Sequence, residues 1–168
     1  MIHITASSRI YPDYTATSVL DIDARTLLSA GVTHLIFDLD RTLVPRSTDA
    51  LPPEYIAHLR DLQQAGLTVL IGTNSRRDTT RVADLLSVTV ISPARFSMKP
   101  RSSFYARLVD ASHTTPEHIA MAGDHIINDV IGPNRAGFTS ILVAALTHHP
   151  TPLQRLYLSF VQRRTKTS

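Results

Sequence analysis

The sequence predicts an α/β protein, a three-layer α/β/α sandwich around a five-stranded parallel, doubly wound sheet of the Rossmann-like type. Short apolar runs of strand length alternate along the chain with amphipathic helical patterns. The runs are continuously apolar, which is typical of strands buried on both faces. Parallel neighbours require crossover connections, and helices in that role cover both faces of the sheet.

The first predicted strand, residues 34–38, is continuous enough to be buried on both faces. The other four strands are predicted at residues 67–71, 88–91, 119–122 and 141–144. Helices are predicted between them at residues 53–65, 76–86 and 102–109, with a fourth before the short segment 134–138. Gly66 stands at a natural C-cap position after the first helix, so the chain from the first to the second strand forms a βαβ unit.

The length and composition favour one domain over residues 1–168, with a core from about residue 30 to 147. Residues 152–163 then place apolar side chains at helical spacing, and we expect this amphipathic helix to dock on the sheet. Basic residues in and just after the helix leave a membrane-surface helix as the alternative. They are Arg155, Arg163, Arg164 and Lys166.

The charge balance is mildly basic, with 17 Lys and Arg against 14 Asp and Glu and a net charge of +3. That balance suits an anionic substrate but falls short of the clustered basic stripe of a dedicated nucleic-acid binder. The absence of cysteine excludes disulfides, Cys-ligated zinc and thiol catalysis. No signal-peptide pattern is visible and no run approaches the roughly 18 apolar residues of a membrane span, so we expect a soluble, cytoplasmic protein.

Polar side chains follow four of the predicted strands at the points where the strands end. Because the carboxyl ends of parallel strands meet at one crevice, we expect these side chains to lie close together. The alternative is that Asp and Thr after a strand only cap a turn or the next helix. The residues are Asp38 and Asp40 after the first strand, Thr73 and Asn74 after the second, Lys99 after the third, and Asp124 and Asp129 after the fourth.

Several carboxylates in one crevice repel each other unless a divalent cation lies between them. Hard oxygen ligands, without cysteine or convergent histidine, favour magnesium. The sequence therefore predicts a Mg²⁺ site at this edge of the sheet.

Four motifs in this order resemble those of the haloacid dehalogenase-like (HAD) phosphatases. They are DxDxT from Asp38, a Thr after the second strand, Lys99 followed by Pro100, and GDxxxxD from Gly123. Within that superfamily the chain is similar to the small capless YqeG-type branch of subfamily IIIA, on its Pro-Asp-Tyr segment at 12–14 and its NRAG segment at 134–137. The resemblance covers about residues 9 to 160.

The resemblance implies a covalent mechanism in which Asp38 attacks phosphorus. Asp40 then protonates the leaving oxygen and later activates the hydrolytic water. Mg²⁺ is implied to bind the Asp38 carboxylate, the main-chain carbonyl of Asp40 and the Asp124 carboxylate. Asp129 belongs to the second shell or to a bound water.

The resemblance also implies three phosphate-binding groups. Thr73 and the amide of Asn74 bind the phosphoryl oxygens, and Lys99 offsets the charge of the phosphate. Three positions depart from the branch: Arg41 stands where Asn is usual, Ser75 where a second Asn is usual, and His125 where Gln is common. We expect Arg41 either to contact an anionic substrate or to point to solvent, and His125 to lie on the rim without binding metal.

No cap domain is predicted, because one helix and one strand fill each gap where such domains are inserted. An open site suits a phosphate presented by a large molecule, such as a lipid headgroup at a bilayer, a protein or a nucleic acid. The alternative is that a partner chain serves as the lid. The branch resembles phosphatidylglycerophosphate phosphatases, which implies a phospholipid substrate and peripheral contact with the inner face of the membrane.

Two other functions remain as alternatives. A non-catalytic binding module of the same fold would engage RNA or membrane through the basic C-terminal helix, but it has no need of both Asp38 and Asp40. A phospho-accepting receiver domain would carry its aspartate at the end of the third strand, where the sequence reads Ile91-Ser92-Pro93.

Overall fold

The computed structural model describes residues 10–45 and 50–146. Its centre is a sheet of six parallel strands in the order β1-β6-β5-β2-β3-β4. The strands are β1 (Tyr14–Ala16), β2 (His34–Phe37), β3 (Thr68–Gly72), β4 (Thr89–Ile91), β5 (Ile119–Gly123) and β6 (Thr139–Val143).

Helices connect the strands. The α-helices are α1 (Ala24–Ser29), α2 (Pro53–Gln64), α3 (Thr80–Leu86), α4 (Ser102–Ser112) and α5 (Gly132–Ala136). Short 3₁₀ turns lie at Val19–Asp21 and Pro116–His118, and a π-helical turn at Ile126–Ile131 runs directly into α5.

Two apolar cores lie on opposite faces of the sheet. Leu35 and Phe37 of β2 pack with residues of α1, α2 and α3, whereas Ile36 packs with residues of α4. Successive strand residues point to opposite faces, so a strand that is apolar at every position feeds both cores. The predicted three-layer sandwich with a parallel, doubly wound sheet is therefore confirmed.

The predicted number of strands was wrong by one. The additional strand β1 pairs in parallel with β6 at one edge of the sheet, from Tyr14 beside Ile141 to Ala16 beside Val143. It has only three residues and none of them is fully buried. A short edge strand therefore lacks the continuous apolar run by which the other five were recognised.

Helix α3 begins at Thr80, later than its predicted start at residue 76. Polar side chains in the preceding segment accept hydrogen bonds from main-chain N–H groups: Thr73 from Ser75, Ser75 from Arg77, and Asp78 from Thr80. Such local bonds compete with helix formation and keep the segment as a series of turns.

The capless prediction also holds in the described part of the chain. Between β2 and β3 lie the loop after β2, α2 and the four undescribed residues 46–49. No helix within residues 10–45 and 50–146 is long and apolar enough to cross a bilayer. The predicted amphipathic helix at 152–163 lies outside the described residues.

Candidate active site

A tight loop after β2 presents the first two predicted acids. The main-chain N–H of Asp38 donates to Ala122 of β5 (2.8 Å), which fixes the residue to the neighbouring strand. Leu43 and Val44 donate to the carbonyl of Leu39 (both 3.0 Å), and their side chains are fully buried. Burial of these apolar side chains anchors the loop on the core, so the backbone that carries Asp38 is held in a fixed position.

Lys99 is the centre of the charged cluster. Its Nζ lies 2.5 Å from Oδ1 of Asp38 and 2.8 Å from Oδ1 of Asp129, and the lysine is only 3% exposed. Burial alone would lower the pKa of Lys99, but the two carboxylates outweigh burial and raise it. Lys99 is therefore a permanent cation held between two carboxylates.

The carboxyl groups are themselves perturbed. Burial raises the pKa of Asp38 to about 7, since the lowering effect of Lys99 is opposed by Asp129 and Asp124. Burial likewise raises the pKa of Asp124, against the lowering effect of Arg41. The site holds more buried negative charge than its own cations neutralise, which favours a bound cation.

Asn74 holds the main chain of Lys99 from both sides. Its Oδ1 accepts from the Lys99 N–H (2.8 Å) and its Nδ2 donates to the Lys99 carbonyl (2.9 Å). The side chain of Asn74 thus positions the lysine. Thr73 lies beside it, buried, with its hydroxyl accepting from Ser75 N–H (2.9 Å).

Asp129 reaches the site through the π-helical turn and a glycine. A Cβ on Gly123 would overlap the carboxylate of Asp129, so only glycine permits this approach. The second carboxylate oxygen of Asp129 accepts from the His125 N–H (3.0 Å). The hydroxyl of the buried Tyr105, on α4, donates to the main-chain carbonyl of Asn128 (2.6 Å) and holds the backbone of the π-helical turn in place.

Two arginines close the rim. Nη2 of Arg41 lies 2.8 Å from Oδ2 of Asp124, so this side chain turns inward to the site and pairs with an acid there. Nη2 of Arg77 lies 2.7 Å from Oδ1 of Asp40, whose side chain is one-third exposed. His125 is half-buried, and its Nδ1 accepts a long hydrogen bond from Asn128 N–H (3.4 Å).

Sequence reasoning missed Arg77 and Tyr105. Arg77 follows Thr73 and Asn74 closely in the chain, which is a signal that it lies near the same strand end. Tyr105 gives no such signal, because an aromatic residue on the apolar face of a helix is indistinguishable in sequence from an ordinary core residue.

The acids fit a hard divalent cation. Carboxylate oxygens of Asp38, Asp124 and Asp129 lie within 4.8 Å of one another, and all three residues are buried. Asp129 already uses one oxygen for Lys99 and the other for His125. Asp38 and Asp124 are therefore the better direct ligands, with Asp129 supporting the site from behind.

The Asn74 clamp leads to a first prediction. Asn74→Ala removes both hydrogen bonds to the Lys99 main chain, and we expect a loss of about 1–3 kcal/mol of unfolding free energy by denaturant titration. Asn74→Asp keeps an acceptor for the Lys99 N–H but places a carboxylate oxygen against the Lys99 carbonyl, so it should not recover the lost stability in the same titration. Equal stability of Asn74→Ala and the wild type would contradict the clamp.

Together, the fold and the site define a class of protein: Rossmann-like enzymes with an acidic, cation-binding centre at the carboxyl ends of the strands. The chain belongs to the haloacid dehalogenase-like hydrolase family, whose model matches residues 12–137.

Similarity to individual proteins extends over most of the chain. The chain is 27% identical over 161 residues to the "Probable phosphatase YqeG" of Bacillus subtilis, and the alignment covers 91% of this chain and 92% of that protein. An uncharacterised protein from Listeria monocytogenes serotype 4b shares the fold, with a TM-score of 0.57, 18% identity, and coverage of 80% of this chain and 99% of that one. So does 3-deoxy-D-manno-octulosonate 8-phosphate phosphatase from Moraxella catarrhalis, solved with magnesium, phosphate and sugar, with a TM-score of 0.51, 16% identity, and coverage of 83% and 90%.

Proposed function

We propose that this hydrolase is a Mg²⁺-dependent phosphatase that cleaves a phosphomonoester through an aspartyl-phosphate on Asp38. One observation carries the proposal: Asp38 lies at the end of a central strand, in contact with a buried lysine and beside two further buried carboxylates. The name of the Bacillus subtilis relative and the substrate of the Moraxella catarrhalis enzyme support the same chemistry.

The reaction needs two carboxyl groups in different protonation states. An oxygen of ionised Asp38 forms a bond to phosphorus while the bond from phosphorus to the leaving oxygen breaks, and protonated Asp40 gives its proton to that oxygen. Asp40, now ionised, takes a proton from water as the water attacks phosphorus and releases Asp38. The Arg77 contact with Asp40 holds this partly exposed carboxyl at the rim of the site.

The remaining residues of the site bind the phosphate and the metal ion. The hydroxyl of Thr73 and the main-chain N–H of Asn74 bind the phosphoryl oxygens, because the Asn74 side chain already holds Lys99. Lys99 offsets the negative charge of the phosphate. Asp38, Asp124 and the main-chain carbonyl of Asp40 would hold the Mg²⁺. When bound, Mg²⁺ supplies positive charge that neutralises phosphoryl oxygens and keeps Asp38 ionised.

The test is phosphate release from p-nitrophenyl phosphate, with Mg²⁺ and with EDTA. We expect release only with Mg²⁺. Because Asp38 has a raised pKa of about 7 without metal, the cation must displace a proton, so the Mg²⁺ concentration for half-maximal activity should rise as pH falls below that value. Turnover that persists in EDTA after dialysis would overturn the metal requirement.

A third prediction concerns Asp40. Asp40→Asn removes the proton donor and acceptor, and we expect turnover to fall about 100-fold or more, with both formation and breakdown of the aspartyl-phosphate slowed. Rapid-quench measurement of the phosphorylated protein separates the two steps. Asp61→Asn, which changes an acid on α2, is the matched control; a rate for Asp40→Asn equal to that of this control would remove Asp40 from the mechanism.

The open site favours a phosphate presented by a large molecule, and phosphatidylglycerophosphate is the specific substrate we propose. Micelles of this lipid, assayed beside p-nitrophenyl phosphate, test that choice. Preference for the lipid supports it, whereas equal rates would remove the lipid from the proposal. Hydrolysis of neither would favour the alternative, a non-catalytic binding module.

A further inference from the structure

A groove beside the site carries three arginines and no acid. It has a volume of about 400 Å³ and is referred to below as the arginine groove. It is lined by Arg76, Ala94, Arg95, Phe96, Met98 and Arg101. Each arginine is exposed, and none of the ion pairs described above involves them. Three guanidinium groups around one groove create a positive potential that an anion would neutralise.

The aromatic side of the groove is built into a tight turn. Ala94 and Ser97 exchange two main-chain hydrogen bonds of 2.9 and 3.0 Å, and Phe96 lies between them with φ of 61°. This left-handed conformation is unusual for a bulky residue. Phe96 is 70% exposed, and the guanidinium of Arg95 lies 5.1 Å from its ring centre. The turn thus holds a large apolar side chain in solvent at the edge of a cationic groove.

The groove and the proposed site are built from neighbouring chain segments. Asn74 binds the main chain of Lys99 on both sides, so the segments around these residues lie side by side. Arg76 is two residues beyond Asn74, and Met98 immediately precedes Lys99. The arginine groove is therefore formed by the same two chain segments that carry Asn74 and Lys99.

We propose that the arginine groove is a specificity subsite that binds a second anionic group, of the phosphate type, on the leaving-group side of the substrate. Phe96 and Met98 would contact the apolar part that links the two anions. The inference rests on the proposed phosphatase function. Arginine suits such a group because its planar fork donates two hydrogen bonds to phosphate oxygens.

The chain's own C-terminal segment does not meet this charge requirement. Residues 147–168 contain four basic side chains and no Asp or Glu. Like charges in the groove and in that segment repel, so an external anion is the better match.

The test compares two soluble substrates that differ only in the second anion. These are n-hexyl phosphate and the same ester with a terminal phosphonate, which is not a phosphoester and is not hydrolysed. We expect the wild type to prefer the phosphonate-bearing ester in kcat/KM, and Arg76→Gln with Arg95→Gln to reduce that preference about tenfold or more. Both esters are assayed on the same preparation of each protein. Partial unfolding therefore lowers both values of kcat/KM equally and leaves their ratio unchanged. Arg135→Gln, on α5, is the control that should keep the wild-type ratio.

The outcomes separate the two proposals. If the wild type hydrolyses neither ester, the phosphatase function fails. If it hydrolyses both esters and the double variant keeps the wild-type ratio, the subsite fails. Micellar phosphatidylglycerophosphate, which carries a phosphodiester as its second anion, is the third substrate. If the double variant loses activity on this lipid relative to n-hexyl phosphate, as well as the preference within the soluble pair, a lipid headgroup is one source of the anion. Loss of binding to phosphatidylglycerol vesicles, with an unchanged soluble ratio, would make the groove a membrane-docking surface and overturn the subsite.

Discussion

Asp38→Asn is expected to lower phosphate release at least about a thousandfold, because an amide oxygen is a poor nucleophile and no other group replaces it. Asp38 is the acid nearest to Lys99, with Nζ 2.5 Å from its Oδ1, and it directly follows the central strand β2. The fold should survive, since Asn is isosteric with Asp and Lys99 keeps its 2.8 Å partner Asp129. Circular dichroism and phosphate release on the same preparation check both expectations.

A matched variant distinguishes the site from a general charge effect. Asp110→Asn changes an exposed acid in α4 and should retain wild-type turnover. Mass spectrometry adds a readout that does not depend on turnover. Wild-type protein quenched in acid during turnover should carry one phosphate on Asp38, and Asp38→Asn should carry none. Phosphate on another residue of the wild type would move the nucleophile elsewhere.

Much of the fold could be predicted because the strands buried on both faces leave a strong signal. Five strands stand out as apolar runs, and the segments after four of them carry the acids, Thr73 and Lys99. The strand β1 leaves no comparable signal. It is stabilised mainly by its partner: main-chain bonds to β6 and the hydrogen bond from Ser140 N–H to Asp13 (2.8 Å) join residues more than 120 positions apart.

The sequence indicates which residues gather at the candidate site, but it does not indicate which of them contact each other. The strand-end pattern indicates that Asn74 and Lys99 lie close together, but both are polar residues in loops that no periodicity constrains. That Asn74 clamps the Lys99 backbone, and that Arg77 faces Asp40, depends on side-chain geometry across loops. The π-helical turn at Ile126–Ile131 is likewise a product of tertiary packing, where Gly123 and Tyr105 fix the position of Asp129.

The charge balance of the site makes Lys99 the residue on which metal-free stability depends most. Three buried carboxylates lie within 4.8 Å of one another, and Lys99 bridges two of them. Removing one partner of a buried ion pair leaves an uncompensated charge and costs about 3–5 kcal/mol. We therefore expect Lys99→Met, which keeps an unbranched side chain one atom shorter and removes the charge, to lose about that much unfolding free energy in EDTA, measured by denaturant titration.

The direction of the pH dependence follows from the acids. Without Lys99, the folded-state pKa of Asp38 should rise further above its unfolded value, because burial and the neighbouring carboxylates are then unopposed. The folded protein therefore binds more protons than the unfolded chain, and stability falls as pH rises between the two pKa values. The deficit of Lys99→Met should accordingly be greater near pH 8 than near about pH 5.

Two additions to the Lys99→Met protein identify the cause of its instability. Adding Asp129→Asn removes one of the two carboxylates that Lys99 neutralised, so the double variant should be more stable in EDTA than Lys99→Met alone. Mg²⁺ should also restore part of the loss, because a divalent cation neutralises the same acids. If neither change raises stability, the defect of Lys99→Met arises from packing and not from unpaired negative charge.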